Sequence, residues 1–193
     1  MFILNCNTLK GGGVMVIAII LGVVIIVIIG WIIITSNSIE RAKIKIDEAA
    51  SGIDTALTKR YDVLTKMIEV VKGYAKHEKE TLFKTIELRS GMSISEMNAA
   101  NKEMDNQFGK INVLAESYPE LKSSENYNTL QLAIVDVEEH LQAARRLYNS
   151  NISSYNQMIK VFPNNIIANN KGCKEKEFFV AEDEKKADVK IKL

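Results

Sequence analysis

The feature that most constrains this chain is an uncharged, apolar run close to its N-terminus. Residues 14–34 read VMVIAIILGVVIIVIIGWIII and contain no charged side chain. As an α-helix this run is about 31 Å long, close to the roughly 30 Å thickness of the hydrocarbon layer of a membrane. Because a chain surrounded by lipid must satisfy its backbone hydrogen bonds within itself, the run predicts one transmembrane helix in contact with the lipid bilayer.

The predicted span begins at Val14, ends at Ile34 and includes Gly22, Gly30 and Trp31. The indole of Trp31 lies near one end, where it can occupy the headgroup region. A cleaved signal peptide is the alternative interpretation, but its apolar core usually has only about 7–15 residues. We therefore predict a retained single-pass membrane anchor, preceded by a short flank formed by residues 1–13.

Basic residues on the two sides of the span predict its orientation. Lys10 precedes the span, whereas Arg41, Lys43 and Lys45 follow it closely. Basic flanks favour the cytoplasmic side, so the larger part of the chain is predicted to be cytoplasmic and the N-terminus outside. The flank after the span is ahead by two basic residues, or by one positive charge if the terminal amine is counted with Lys10.

Beyond the span the chain is electrically balanced. Lys10 is the only charged residue before residue 36, so the rest holds 24 basic and 24 acidic side chains. Nucleic-acid binding depends mainly on neutralising phosphates, and we expect no nucleic-acid partner. Cys6 and Cys173 are too few and too distant in sequence for a disulfide framework or a thiolate zinc site.

Apolar residues spaced alternately three and four apart predict three long helices, as in amphipathic helices or coiled coils. The first stripe comprises Ile46, Ala50, Ile53, Leu57, Arg60, Leu64, Met67, Val71 and Tyr74. The second, within about residues 78–118, comprises Leu82, Ile86, Arg89, Met97, Met104, Phe108, Ile111 and Ala115. The third comprises Tyr127, Leu130, Ile134, Val137, Leu141, Ala144, Tyr148, Asn151, Tyr155, Met158 and Phe162.

Local signals predict where these helices begin and end. Asn37 and Glu40 have the spacing of a capping box, although the first helix could equally continue from the span without a break. The stretch Ser90–Ser93 predicts a kink or break, and the prolines Pro119 and Pro163 end the second and third helices. Pro163 can also open a short fourth helix.

Short turns between long helices are typical of antiparallel neighbours. We therefore predict an all-α fold: an N-terminal transmembrane helix followed by an antiparallel up-and-down helical bundle over residues 36–179. The charged residues 180–193 are predicted to form a flexible tail. Phe178 and Phe179, just before it, are predicted to fold back on the bundle as an apolar latch.

Polar groups interrupt the apolar stripes at Arg60 and Arg89. A buried guanidinium needs a carboxylate partner or must extend to water, since an unpaired buried charge costs several kcal/mol. We predict a polar layer or recognition site formed by Arg60, Asp62, Arg89, Glu138, Arg145, Asn149 and Asn156. Two interpretations stay open: a structural layer that fixes the register of the helices, or a site for a carboxylate, phosphate or lipid headgroup.

A second candidate is a contact surface at the end of the first helix. The sequence between residues 72 and 80 is dense in charge and lies at a predicted junction between helices. The candidate contact residues are Lys72, Tyr74, Lys76, His77 and Glu78.

Familiar catalytic patterns are missing from the sequence. There is no glycine-rich phosphate loop after a strand. His77 and His140 lack a Glu-x-x-His arrangement of the kind that builds metal sites in bundles. We predict a protein that is not an enzyme, with no cofactor and no metal.

Several short motifs together resemble the LemA family of bacterial membrane proteins. They are Arg60-Tyr61-Asp62, Val71 to Glu78, Ala115 to Lys122, Ala144 to Asn149, Tyr155-Asn156, Phe162-Pro163 and Phe178-Phe179. The resemblance covers roughly residues 36–180 and implies one membrane span followed by a helical bundle. Thr65-Lys66 stands where family members usually have Pro-Asn, so any kink there should be weaker. The family brings no catalytic residues with it.

The expected function is therefore a membrane-anchored interaction or scaffold module for protein partners that the sequence does not name. The alternative is a membrane-organising or membrane-sensing protein that acts through self-association as a homo-oligomer.

Overall fold

The computed structural model describes residues 6–74, 86, 88–89 and 91–179, and for residues 6–14 it describes the backbone alone. The predicted tail and the first five residues of the N-terminal flank lie outside this part. The described residues form five α-helices and no strand, which confirms the all-helical prediction. The helices are α1 (Cys6–Tyr74), α2 (Ile94–Ser117), α3 (Pro119–Lys122), α4 (Glu125–Lys160) and α5 (Asn164–Asn170).

Helix α1 is uninterrupted for 69 residues. It passes through Asn37 without a cap and through Thr65-Lys66 without a break, so the alternative of a continuous first helix is the correct one. Its apolar part is exposed, with Ile26 at 70% and Val27 at 64%. Length and composition make α1 a candidate membrane span, and no other described helix qualifies. An exposed apolar surface of this extent requires an apolar partner such as lipid.

The sequence predicted a helical stretch from about residue 78 with a kink or break at Ser90–Ser93, and α2 begins directly after that break, at Ile94. Ile86, Leu88 and Arg89 lie outside a helix, so the prediction of helix at these positions was wrong, and most of residues 78–90 lie outside the described part of the chain. Gly91 adopts a φ of +79°, a left-handed conformation that glycine tolerates and other residues avoid. Ser93 then caps α2: its hydroxyl accepts from the Glu96 N–H at 3.3 Å, and the Glu96 carboxylate accepts from the Ser93 N–H at 2.7 Å. This capping box starts α2 at the predicted break.

Helix α4 ends at Lys160 and α5 follows after Pro163, as the proline signal predicted. One stripe residue differs from its prediction. Phe162 is 75% exposed, and the buried position near the end of α4 is Ile159. Phe162 lies beyond the last helical residue, so the helical periodicity no longer directs its side chain to the core.

Contacts divide the chain into two units. The first, which we call the anchor unit, comprises residues up to 43 together with 155–175. The second, which we call the core unit, comprises the described residues of 44–154 together with 176–179.

The core unit is built on one apolar cluster from the C-terminal half of α1, from α2 and from the start of α4. Its central members are Leu64, Met67, Val71, Ile86, Ala100, Met104, Phe108, Ile111, Ala115, Leu121 and Tyr127. Contacts of α4 with Lys45 and Arg60 show that α4 runs antiparallel to α1. Asn112 contacts Tyr127 and Gln131 near the start of α4, whereas Asp105, earlier on α2, shares Arg60 with Glu138 further along α4, so α4 also runs antiparallel to α2.

The anchor unit has its own buried residues, which are Thr35, Ile39, Tyr155, Ile159, Ile167 and Ala168. Lys171 forms an ion pair with Glu40 at 3.2 Å, and Lys160 pairs with Glu175 at 2.8 Å. Hydrogen bonds from Lys43 and Lys171 lower the pKa of Glu40 below its ordinary value. These contacts fix the stretch after α5 against α1.

Candidate functional site

The most unusual group in the core unit is the guanidinium of Arg60, on the buried face of α1. The residue is only 2% exposed. Its Nη1 donates to the side-chain oxygen of Asn101 and, at 3.3 Å, to the Asn101 carbonyl oxygen. Its Nη2 donates to carboxylates from two different helices, Asp105 on α2 and Glu138 on α4. The Phe108 ring centre lies 5.2 Å from Arg60 Cζ, within cation–π range. We call these five residues the Arg60 cluster.

The Arg60 cluster uses four of the five N–H donors of the guanidinium. The remaining one, on Nε, is buried and has no hydrogen-bond partner in the described part of the chain. Asp105 and Glu138 keep side-chain exposures of 20% and 27%, so water reaches one side of the cluster. Because the protein's own acceptors occupy both terminal nitrogens, the geometry favours a layer that fixes helix register over a receptor for an outside anion.

The predicted polar layer is only partly brought together. Arg60 and Glu138 meet, as just described. Arg89 lies outside a helix with its side chain 72% exposed and pairs with Glu96 at 2.6 Å, so its predicted place on a buried stripe was wrong. Arg89 is held at this exposed place by Glu96, the acidic residue of the α2 capping box. Hydrogen bonds from the Ser93 backbone and hydroxyl, followed by the one from Arg89, lower the pKa of Glu96 to about 2. Asp62 is exposed and is not among the partners of Arg60.

The other predicted polar residues of the core unit hold the chain segment after α5. The side-chain amide of Asn149 donates to the Phe179 carbonyl oxygen and accepts from the Phe179 N–H, at 2.9 Å in each case. The guanidinium of Arg145 lies 5.1 Å from the Phe179 ring centre. Phe179 is 1% exposed whereas Phe178 is 46% exposed, so only one of the two predicted latch residues is buried.

Tyr148 completes this latch by donating to the Glu177 carbonyl oxygen at 3.1 Å. Burial, followed by the charges of Asp47 and Glu177, raises the pKa of Tyr148. Asn156, the last predicted member of the polar layer, is half-buried in the anchor unit.

The predicted contact surface is described only in part. Lys72 and Tyr74 are exposed at the end of α1. Lys76, His77 and Glu78 lie outside the described residues.

A groove that the sequence did not suggest runs along the outer face of α2, with a volume of about 400 Å³. The described residues that line it are Asn106, Gly109, Lys110, Val113, Leu114 and Ser117. They recur every three or four residues and so form one face of the helix. Val113, at its centre, is 67% exposed.

Asn101 and Asp105 were also missed as members of the Arg60 cluster. The signal was present, since Asn101 fills the gap between Met97 and Met104 on the apolar stripe of α2. A polar residue on the stripe of each of two helices indicates that the two polar groups can meet.

Comparison with known proteins agrees with this architecture. A sequence model of the LemA family matches residues 49–193. The chain belongs to the LemA family. The resemblance predicted from the motifs is thereby confirmed, and the LemA family is not a known enzyme family.

Individual relatives differ in how much they share with this member of the LemA family. Protein LemA of Metamycoplasma hominis is 30% identical over 158 residues, which cover 79% of this chain and 72% of that protein. Magnetosome protein MamQ of Magnetospirillum gryphiswaldense is 28% identical over 74 residues, 38% of this chain and 27% of that protein. Magnetosome protein MamQ 2 of Paramagnetospirillum magneticum is 31% identical over 74 residues, with the same coverage. Together with the apolar part of α1, these similarities indicate a membrane-associated protein.

Proposed function

We propose that this LemA-family protein is a membrane-anchored interaction module without catalysis, and that the outer face of α2 binds a helix of a protein partner at the membrane surface. The single observation that carries the proposal is the open groove on α2. Its lining residues are spaced as a partner helix requires, with apolar Val113 and Leu114 flanked by polar Asn106 and Ser117.

A glycine in the lining of the groove, Gly109, supports this binding mode. A Cβ atom placed on Gly109 would meet no atom within 4 Å apart from its chain neighbours and the nearby backbone of its own helix, so the helix is open at this point. A partner helix can therefore approach α2 closely, as helices do where they meet at small residues. The Arg60 cluster has a supporting role in the proposal, because it holds α1, α2 and α4 in register and so keeps the groove rigid.

Site-specific photo-crosslinking in living cells tests the proposal. A photoreactive amino acid replaces Val113 in the full-length chain, and the matched control carries it at Lys59, an exposed polar residue of α1. We expect a discrete crosslinked product of higher mass from position 113 and none from position 59. If both positions give the same products, or neither gives any, the α2 face is not a docking site.

We propose self-association as the second candidate function, on the basis of another exposed apolar pair. Leu132 and Val135 are 74% and 57% exposed and lie one turn apart on α4. Two copies could cover these residues by packing α4 against α4. Crosslinking from position 135 should then give a product of twice the chain mass, and adding Leu132→Glu should abolish it. A product that contains a different protein argues for the first candidate.

We further propose that the bundle lies on the cytoplasmic side, as the basic residues after the span favour. The test is protection of a C-terminal tag from added protease. In spheroplasts with an intact cell membrane the tag should survive, and it should be cut once that membrane is permeabilised. Cleavage before permeabilisation would show that the bundle lies on the opposite side of the membrane.

A further inference from the structure

The turn between α4 and α5 exposes a compact set of large apolar side chains. Val161 is 58% exposed, Phe162 75% and Ile166 50%. All three lie within six residues of one another and belong to the anchor unit, the unit that also contains the span. We call these three residues the apolar tip.

Burial along α1 shows how close the stretch 155–175 comes to the span. Ile34 is 67% exposed, whereas Thr35 is 6% and Ile39 0% exposed. Among the described residues of the anchor unit, the stretch 155–175 is the part that can cover Thr35 and Ile39. Residues of the stretch 155–175 therefore begin to bury α1 directly where the predicted span ends.

Two further contacts give the direction of the turn. Tyr155 and Cys173 are joined by a side-chain hydrogen bond, and Lys171 pairs with Glu40. From Tyr155 the chain continues along the end of α4, and it returns along α5 to Lys171 and Cys173. The turn between α4 and α5 therefore lies about 10 Å from the level of these contacts. Thr35 lies about 7 Å from Glu40 on the side of the span and is covered. The turn therefore points towards the span.

The distances match the depth of a membrane interface. The headgroup layer on each side of a bilayer is roughly 5–8 Å thick. A turn that reaches the level of Thr35 is then at the boundary between headgroups and acyl chains, where exposed apolar side chains are more stable than in water. The polar residues next to the tip, including Asn164, Asn165 and Lys160, suit the headgroup side of the same boundary.

We propose that the apolar tip inserts into the interface of the membrane that holds α1, which gives the protein a second lipid contact beside its span. The occupant of this surface is lipid, because the tip is continuous with a lipid-facing segment and reaches the level at which that segment ends. This contact fixes the tilt of the anchor unit on the membrane. It depends on the span but not on the protein partner proposed above.

Quenching of tryptophan fluorescence by lipids with brominated acyl chains tests the proposal on the full-length chain in proteoliposomes. Trp31 is the only tryptophan and reports on the span in the unmodified protein. In a Trp31→Phe background, Phe162→Trp reports on the tip. Leu132→Trp is the matched control, since Leu132 is also strongly exposed but belongs to the core unit rather than to the anchor unit.

We expect brominated lipid to quench Phe162→Trp by nearly the same fraction as Trp31 and to leave the control unquenched. Both substitutions are at exposed positions, so folding should be unaffected, and circular dichroism checks this. Quenching of Trp31 without quenching of Phe162→Trp overturns the proposal, and a blue-shifted but unquenched emission assigns the tip to a protein contact. If Trp31 itself is not quenched, the span is not in the bilayer and the proposal fails with it. None of these outcomes depends on crosslinking from Val113.

Discussion

Arg60 on α1 donates both hydrogens of Nη1 to a single residue of α2, Asn101, whose carbonyl oxygen is 3.3 Å away and whose side-chain oxygen accepts as well. The same guanidinium binds Asp105 and Glu138 through Nη2. One side chain thus links three helices at one level. Sliding any of them by one turn would leave buried charges unpaired, and this is the physical reason that such a cluster specifies register.

Replacing Arg60 with Met should therefore destabilise the bundle strongly. It leaves two carboxylates without their cation, and we expect a loss of about 3 kcal/mol, at the lower end for a broken buried pair because water reaches Asp105 and Glu138. Urea unfolding in detergent micelles, followed by circular dichroism, measures the loss. The triple variant Arg60→Met, Asp105→Asn, Glu138→Gln removes all three charges and should regain much of the stability. If Arg60→Met alone is as stable as the unmodified protein, Arg60 does not fix the register of the helices.

How far the sequence predicts this cluster depends on where each member lies. Arg60 interrupts a regular stripe and is visible at once, and Glu138 is adjacent to another stripe at Val137. Asp105 is next to Met104 but leaves the stripe intact, so nothing local marks it. Which carboxylate an arginine reaches depends on how three helices pack, and periodicity in one helix does not contain that information.

The fold shows the same division between local and tertiary information. Pro119 and Pro163 act through their own backbone geometry, and the ends of α2 and α4 were predicted correctly. The break at Ser90–Ser93 was also predicted, but the apolar stripe alone does not place the start of α2, because Ile86 and Met97 fit one continuous stripe although Gly91 and Ser93 separate them. Asn149 was identified as polar on a buried helix, but its partner is the backbone of Phe179, thirty residues away in sequence.

The pair formed by Asn149 and Phe179 gives a second prediction. Asn149→Ala removes two hydrogen bonds that hold an extended segment on α4, and a loss of about 2 kcal/mol is expected. The local effect is more specific: the Phe179 amide should lose its protection in hydrogen exchange. Asn170→Ala, at an exposed position, is the control and should change neither quantity. Unchanged protection of Phe179 in Asn149→Ala would show that the latch is held by other contacts.

The α2 capping box should make stability depend on acid. Hydrogen bonds from Ser93 and Arg89 lower the pKa of Glu96 from 4.5 to about 2. The stabilising contribution is therefore complete above pH 4.5 and is lost as the pH falls towards 2. Glu96→Gln should flatten this part of the stability–pH curve, whereas Glu116→Gln at the exposed end of α2 should leave it unchanged. Ser93→Ala should cost about 1 kcal/mol at neutral pH. Equal acid dependence in both glutamine variants would refute the assignment.

At alkaline pH the anchor unit should weaken. Burial, aided by the hydrogen bond to Cys173, raises the pKa of Tyr155 from 10.0 to about 12. The folded state therefore retains a proton that the unfolded state loses, so the contribution is complete below pH 10 and disappears as the pH rises to 12. The free energy of unfolding should fall more steeply over this range in the unmodified protein than in Tyr155→Phe. Tyr74→Phe, which removes a more exposed phenol, is the control. Tyrosinate absorbance should show a group that titrates near pH 12 in the unmodified protein and is missing in Tyr155→Phe.

Two glycines give opposite predictions for the same substitution. Gly109 lies within α2, and a Cβ atom there would meet no atom within 4 Å apart from its chain neighbours and the nearby helix backbone. Gly109→Ala should therefore stabilise the protein by up to about 1 kcal/mol through helix propensity. Gly91 has open space as well, but its φ of +79° is unfavourable for alanine, so Gly91→Ala should destabilise by about 1 kcal/mol. Thermal unfolding of both variants in the same micelles measures the difference. Stabilisation by Gly109→Ala combined with weaker crosslinking from Val113 would show that the missing side chain serves binding at the expense of stability. Destabilisation by Gly109→Ala would mean that the α2 face is covered, and the groove could then not receive a partner helix.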